Sequence, residues 1–283
     1  MNRRTVRIAA LTLAIAAALA AAGGALFAWS GLYDVSANVP HTQFVYSLLE
    51  SAMHRSVRRH ARQVHLPQTP LGDERVVARG AGCFRDHCIA CHGAPGIAQA
   101  EIGRSMQPLP GSLADAAARW ETKELYWIAR NGIKMSGMPA WEYRLGDADL
   151  WAVVAFMQRL PKLGAAEYRE ATSAAAAPVC RARDEAASAA PVDIERGRIA
   201  VTQHACTACH RIPGITGSAT FVGPPLDGVG ARQLIAGKLA QSPENMQRWL
   251  RDPQAVDPHS TMPNLALSER DARDIAAFLA TLR

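Results

Sequence analysis

The feature that most constrains this chain is a five-residue pattern that occurs twice, at residues 88–92 and 206–210. Both copies read Cys-x-x-Cys-His, which is the attachment signature for c-type haem. Two thiols three positions apart on a helical turn reach the vinyl groups of one porphyrin, and the adjacent histidine then lies below the iron. One copy would also fit a redox dithiol, whereas two copies, each followed by a Met-Pro step, favour covalent haem. The sequence therefore predicts two haem c groups and a protein that moves electrons.

The predicted haem-binding side chains are two cysteines, one histidine and one methionine in each half of the chain. The cysteines are Cys88, Cys91, Cys206 and Cys209, and the axial ligands are His92, Met138, His210 and Met262. Met138 and Met262 follow their histidines by 46 and 52 residues, and each precedes a proline that stiffens the loop. Met135 is an alternative to Met138, whereas Met246 lies in a predicted helix and is expected to pack. A haem with both axial positions filled has no open site for oxygen or peroxide, so no catalytic residue is predicted.

Each proximal histidine also needs a hydrogen-bond acceptor for its second ring nitrogen. Prolines follow both motifs, and the backbone carbonyl of Pro224 or Pro225 is expected to serve in the second half. Pro108 or Pro110 is expected to serve in the first half. Two further histidines lie just before the motifs, and exposed helix positions are the expected explanation for His87 and His204.

The composition of the chain indicates a folded protein and disfavours nucleic-acid binding. The hydrophobic content of 49% is enough for packed cores, and the net charge is +6. No basic run is interleaved with aromatic residues, so a nucleic-acid partner is not expected. Zinc is a weaker alternative to haem, because each half of the chain supplies a single Cys-x-x-Cys pair. The two cysteines outside the motifs, Cys83 and Cys180, fit either a disulfide or two unpaired thiols, and both alternatives stay open.

The first thirty residues predict a membrane segment. Arg3, Arg4 and Arg7 precede an uncharged stretch at 8–29, which as a helix is about 33 Å long and matches a hydrocarbon core of about 30 Å. The positive end would stay inside, so the rest of the chain is expected in the periplasm. A cleaved signal peptide is the alternative, because residues 18–20 read Ala-Leu-Ala. The long apolar run favours an uncleaved anchor.

The rest of the chain reads as an all-α protein with tandem domains. The predicted segments are an anchor or signal at 1–30, a stalk at 31–71, a first domain at 72–164, a linker at 165–192 and a second domain at 193–283. The predicted domain helices are 73–91, 121–131 and 147–160, then 193–208, 231–239, 243–251 and a final helix. The stalk carries an amphipathic helix within 40–66. It either docks on a membrane-integral partner or lipid headgroups, or packs against the first domain.

Residues 72–283 resemble membrane-anchored dihaem proteins with two tandem class I cytochrome c domains. The residues that carry the resemblance in the first domain are Gly80, Phe84, Cys88, Cys91, His92, Met138, Pro139 and Trp151. Trp151 falls where the family has an aromatic contact to its first helix. In the second domain Phe278 fits the pattern, whereas Gly197 lies one residue further from its cysteine and Val201 or Thr202 replaces the aromatic residue of the first helix.

The resemblance implies low-spin haem c in a bacterial inner-membrane protein whose haem domains face the periplasm. It also implies a role as electron carrier in respiration, with redox proteins as partners. The chain would be a donor to, or a subunit of, a terminal oxidase, or an acceptor from a dehydrogenase. The alternative is a dihaem peroxidase-like enzyme, in which one haem lacks a methionine ligand.

Overall fold

The computed structural model describes residues 2–180, 190–217, 220 and 222–283 of the 283-residue chain. Over these residues the protein consists of α-helices joined by loops, with one short antiparallel hairpin. The helices are α1 (Arg3–Ser30), α2 (Gln43–Ala61), α3 (Glu74–His87), α4 (Ile89–His92), α5 (Glu101–Arg104), α6 (Ala116–Arg119), α7 (Thr122–Asn131), α8 (Asp147–Arg159), α9 (Ala165–Ala171), α10 (Ile194–Gln203), α11 (Pro243–Arg251), α12 (Pro253–Val256) and α13 (Glu269–Thr281). The strands are β1 (Leu234–Ile235) and β2 (Leu239–Ala240). The all-α class is confirmed.

Helix α1 stands apart from both domains. Its alanines and leucines favour a helix, and Gly31 ends it in a left-handed conformation with φ 67°. None of its residues is buried in the structure. The helix is long and apolar enough to cross a membrane by length and composition.

Helix α2 is shorter than the predicted 40–66 segment, and its two halves differ. In the second half Val57 is 1% exposed, and the imidazole of His54 stacks on Trp120 with 4.1 Å between ring centroids. Both contacts join α2 to the first domain. In the first half Phe44 and Leu48 remain exposed. Packing against the first domain, one of the two expected alternatives, therefore describes only the second half of the helix.

The first domain is organised by a close crossing of α3 and α8. A Cβ atom on Gly80 would lie 1.9 Å from the backbone oxygen of Ala152, so no larger residue fits there without moving one helix. Phe84 packs beside this contact against Phe156, with 5.3 Å between ring centroids. Trp151 stacks on Tyr126 of α7, with 3.9 Å between ring centroids. Phe156, five residues later in α8, makes the aromatic contact to Phe84 of α3 that was expected of Trp151.

Part of the expected linker at 165–192 belongs with the first domain. Tyr168 in α9 is 1% exposed and contacts both Phe84 and Phe156. A disulfide joins Cys83 in α3 to Cys180, which settles the alternative that the sequence left open. The alanine-rich composition did not predict this packing, because the buried contacts with Phe84 and Phe156 come from one aromatic residue, Tyr168. Residues 181–189 of the expected linker lie outside the described residues.

The second domain repeats the crossing with α10 and α13. A Cβ atom on Gly197 would lie 1.9 Å from the backbone oxygen of Asp274. Val201 is 1% exposed and lies in the same core as Phe278. Arg196 of α10 forms ion pairs with two buried carboxylates of α13, Asp271 and Asp274. The two helices are thus joined by both apolar and ionic contacts.

Two predicted helices of the second domain differ from the structure. Helix α10 ends at Gln203 rather than at 208, because Ala205 adopts a left-handed conformation with φ 57°. The predicted helix at 231–239 is wrong: β1 and β2 pair there as a hairpin. Its turn contains Ala236 and Gly237 at φ 50° and 70°, and such backbone cannot continue a right-handed helix.

Candidate functional site

The two Cys-x-x-Cys-His motifs adopt closely similar turns directly after the first helix of each domain. The backbone oxygen of Cys88 accepts hydrogen bonds from the amides of Cys91 and His92, at 3.3 and 3.0 Å. The oxygen of Cys206 accepts the equivalent bonds from Cys209 and His210, at 3.2 and 2.9 Å. Each turn therefore places two sulfur atoms and one imidazole within five residues of backbone, as covalent haem attachment requires.

Both histidines are oriented by a backbone carbonyl. The Nδ1 atom of His210 lies 2.7 Å from the oxygen of Pro224, as the sequence predicts. The Nδ1 atom of His92 lies 2.7 Å from the oxygen of Gly111 rather than from Pro108 or Pro110. The carbonyl of Pro110 instead accepts a hydrogen bond from the side-chain amide of Gln99, at 2.6 Å. With Nδ1–H as the donor, Nε2 carries the lone pair and is the atom available to a metal ion.

Glycine creates the space that these rings occupy. A Cβ atom on Gly223 would lie 2.5 to 3.0 Å from three atoms of the His210 ring. In the first domain a Cβ atom on Gly103 would lie 2.9 Å from the Cα atom of Cys91. The loops that follow both motifs therefore approach the attachment residues more closely than any other residue type allows.

The two candidate methionines lie in loops with the same local structure. The amide of Met138 donates to the hydroxyl of Ser136, and the amide of Met262 donates to the hydroxyl of Ser260, both at 3.2 Å. Both methionine side chains are partly buried. Met135 is 88% exposed, so its burial differs from that of Met138.

Glycine also closes the methionine loop of the first domain. Gly132 has φ 66°, and a Cβ atom there would lie 2.6 Å from the backbone oxygen of Met138. A third methionine, Met106, approaches this loop: a Cβ atom on Gly137 would lie 2.7 Å from its sulfur. Sequence reasoning missed Met106, although its place in the proline-containing loop after the motif was a usable signal.

The pKa values of the motif residues disfavour dithiol redox chemistry and leave the first histidine neutral. None of the four motif cysteines forms a disulfide in the structure. Burial raises the pKa of the Cys88 thiol to about 12 and that of Cys206 to about 11. Redox-active dithiols need the opposite shift, toward a thiolate at neutral pH. Burial lowers the pKa of His92, although its bond to Gly111 acts in the other direction, so the imidazole is neutral and suited to ligation.

Two histidines near the motifs are not at exposed positions, contrary to prediction. His87 is partly buried against Trp141, with 5.2 Å between ring centroids, and this burial lowers its pKa. His204 has an 11% exposed side chain that lies 3.4 Å from a carboxylate oxygen of Asp271. Their partners come from distant parts of the chain, which helical periodicity does not reveal.

Comparison with known families agrees with this geometry. Residues 75–157 match a family described as cytochrome c oxidase, cbb3-type, subunit III. Residues 194–283 match the family described as cytochrome c. The chain carries two cytochrome c domains in tandem. Together with the apolar helix α1, they fit a membrane-anchored dihaem cytochrome c, and such domains are haem electron carriers.

Two curated relatives each match a domain-sized part of the chain. One is cytochrome c oxidase subunit 2 of Alkalihalophilus pseudofirmus, 36% identical over 89 residues, which are 31% of this chain and 25% of the relative. The other is cytochrome c oxidase subunit 2 of Bacillus sp. strain PS3, 30% identical over 88 residues, which are 30% of this chain and 25% of the relative. The match thus spans about a quarter of each relative. No solved structure matches the chain significantly.

The residues present in both cytochrome c domains fit haem c. Each motif turn offers two thiols for thioether bonds and an imidazole whose Nε2 atom is free to bind iron. Each domain adds a partly buried methionine on a loop held by a serine hydroxyl. In the second domain the backbone of Gly223 lies so close to the His210 ring that a Cβ atom there would collide with it.

Proposed function

We propose that this chain binds one haem c in each cytochrome c domain and carries electrons in a respiratory chain. The observation that supports the proposal best is the duplicated set of side chains: a motif turn, a carbonyl-oriented histidine and a serine-held methionine. A single set would fit one carrier centre, whereas two sets on one chain fit electron transfer between centres.

In this proposal, different residues of the chain attach the porphyrin and bind the iron. Haem c supplies a one-electron iron couple when bound. Cys88 and Cys91 hold one porphyrin, and Cys206 and Cys209 hold the other. His92 and His210 would supply imidazole Nε2 atoms to the iron, and Met138 and Met262 would supply sulfur. A methionine ligand would favour the reduced state, and an iron whose ligands all come from the porphyrin and the protein would leave no position for oxygen or peroxide.

We further propose that α1 remains attached and anchors both domains at the periplasmic face of the inner membrane. Its arginines Arg3, Arg4 and Arg7 would stay on the cytoplasmic side. Because the second half of α2 packs on the first domain, the anchor would hold that domain near the membrane surface. We assign residues 165–180 to the first domain on the basis of Tyr168 and the Cys83–Cys180 disulfide.

The proposed partner is a terminal oxidase, with this chain as its subunit or its electron donor. The support is the oxidase-subunit family matched by the first domain and the oxidase subunits among its relatives. A dehydrogenase that delivers electrons to the chain is compatible with the same role.

Haem quantitation on paired cysteine variants tests this proposal. The wild-type chain is expected to hold two covalent haems by pyridine haemochrome assay. Cys88→Ala with Cys91→Ala, and Cys206→Ala with Cys209→Ala, should each leave one haem. Cys83→Ala with Cys180→Ala is the matched control, since that pair forms a disulfide, and it should leave two.

Two results would contradict the proposal. One is a wild-type chain with a single covalent haem. The other is ready carbon monoxide binding by the native reduced protein, which would reveal an open axial position and favour a peroxidase-like enzyme.

A further inference from the structure

The two cytochrome c domains meet at one turn of the first domain, residues 140–144, which we name the bridge turn. It follows directly after Met138 and Pro139 and contains a short 3₁₀ helix, Trp141–Tyr143. Two of its side chains face the first domain. Trp141 packs against the first core and the ring of His87, and Glu142 accepts a hydrogen bond from Arg130 of α7 at 3.0 Å.

The other side chains of the bridge turn face the second domain. Tyr143 is 5% exposed and lies in the hydrophobic cluster of the second domain, together with Ala140. The guanidinium carbon of Arg196 lies 5.2 Å from the centre of the Tyr143 ring, within the range of a cation–π interaction. The edge of His204 approaches the same ring, with 6.4 Å between centroids.

These contacts connect both haem-attachment motifs through one short segment. His87, which touches Trp141, immediately precedes Cys88, and His204, which touches Tyr143, lies two residues before Cys206. Because Tyr143 buries an aromatic ring in the other domain's core, it adds apolar contact to this boundary. Arg144, by comparison, reaches the backbone oxygen of Gln203 at 3.5 Å.

We propose that Tyr143 is a positioning residue that docks the second cytochrome c domain onto the methionine loop of the first and fixes the separation of the two haem sites. The inference rests on the proposed function only where it concerns haem; the docking itself depends on side-chain contacts. An electron then passes from the reduced iron of one site to the oxidised iron of the other at a constant distance. One site is oxidised as the other is reduced, and no bond forms or breaks.

Domain-resolved hydrogen exchange on the full-length haem protein in detergent tests the docking. Tyr143→Ala should accelerate amide exchange in α10 and α13, although the change lies in the first domain. Tyr126→Ala is the matched control, because Tyr126 is an equally buried tyrosine of the first domain that stacks on Trp151. It should accelerate exchange in α7 and α8 and leave α10 unchanged. Tyr143→Phe keeps the ring and its contact with Arg196, so exchange in α10 and α13 should be closer to wild type than in Tyr143→Ala.

A kinetic measurement separates positioning from stability. After photoreduction of a small fraction of the haem, interhaem electron transfer in Tyr143→Ala should be severalfold slower, with both midpoint potentials unchanged. If Tyr143→Ala does not accumulate, His204→Ala removes the facing ring and should give the same two effects more weakly. Unchanged exchange in α10, or an unchanged interhaem rate, would overturn the proposal. A wild-type chain with fewer than two haems would instead overturn the proposed function, and the exchange result would still stand.

Discussion

The two cytochrome c domains make the same helix crossing and surround it with different chemistry. In both, a glycine of the first helix touches the backbone of the last helix, Gly80 at Ala152 and Gly197 at Asp274. Around Gly80 the aromatic ring of Phe84 packs against Phe156 and Tyr168. One ion pair, between Arg79 of α3 and the buried Asp149 of α8, lies beside these rings. A disulfide from Cys83 adds a covalent link there.

Around Gly197 the ionic contacts are more extensive. Arg196 is 11% exposed and binds Asp271 and Asp274, whose side chains are 2% and 0% exposed. Both crossings share a close approach at glycine and an arginine–aspartate pair beside it, whereas the first adds aromatic rings and a disulfide and the second adds a second buried carboxylate. The α3–α8 and α10–α13 crossings should therefore lose stability under different conditions.

The largest expected effect is the loss of Arg196. Arg196→Ala leaves two buried carboxylates without their main partner, which costs about 3–5 kcal/mol of second-domain stability. Arg159→Ala is a surface control at the first crossing, where Arg159 of α8 pairs with the exposed Glu74 of α3. Removing that surface pair should cost about 1 kcal/mol or less. Domain-resolved urea unfolding measures both, and equal losses would contradict the contrast.

Removing the disulfide should have the next largest effect. Cys83→Ala with Cys180→Ala opens a link between residues 97 positions apart and should cost the first domain about 2–4 kcal/mol. The second domain should unfold as in wild type. A comparable loss in the second domain would show that the disulfide acts on the interface rather than on the α3–α8 crossing.

Acid should destabilise the second domain more than the first. Burial raises the pKa of Asp271, but hydrogen bonds from His204, Ser268 and Arg196 and the charge of Arg196 outweigh it, so the pKa is lowered well below 3.8. A lowered pKa in the folded state means that the ionised carboxylate stabilises the fold above pH 3.8, and that this stability is lost as the pH falls.

The first-domain carboxylates offer the comparison for this acid effect. Asp73 also has a lowered pKa, mainly through the amide and side chain of Arg75, but it is solvent-exposed and contributes little. Urea unfolding at pH 7 and pH 3 should therefore show a larger loss in the second domain. A larger loss in the first domain would contradict the ionic description of the α10–α13 crossing.

Removing the serine hydroxyl from each methionine loop should have the smallest effect on stability, and the effect should be equal in the two domains. Ser136→Ala and Ser260→Ala each remove the acceptor for one methionine amide and should cost about 0.5–1.5 kcal/mol. Because the two loops have the same local bond, a large difference between the variants would show that they hold their methionines differently. Urea unfolding monitored in each domain gives the comparison.

Much of the fold follows from local sequence, because most long helices carry a clear apolar periodicity. The predicted helices at 121–131 and 243–251 correspond to α7 and α11, and Ser268 caps α13 by accepting a hydrogen bond from the amide of Asp271. The packing of Tyr168 was not predictable, because its alanine-rich surroundings resemble a linker. The hairpin at 234–240 was missed because positive φ at Ala236 leaves no compositional signal.

Some residues of the candidate site could also be predicted from local sequence, and others could not. The motif turns depend on neighbouring residues, so the sequence alone locates Cys88, Cys91 and His92, and their copies in the second domain. Contacts between distant segments were not visible: the carbonyl of Gly111, the approach of Met106 and the docking of Tyr143. Each arises from a loop whose path is decided by packing rather than by local propensity.

The most direct test of the account is the near-infrared spectrum of the oxidised protein, measured per haem, for wild type and methionine variants. Wild type should show methionine–iron charge-transfer intensity for two centres. Met138→Ala and Met262→Ala should each remove half of it, whereas Met135→Ala and Met106→Ala should remove none. Wild-type intensity for one centre, or its loss in Met135→Ala or Met106→Ala but not in Met138→Ala, would contradict two centres ligated by His92 with Met138 and His210 with Met262.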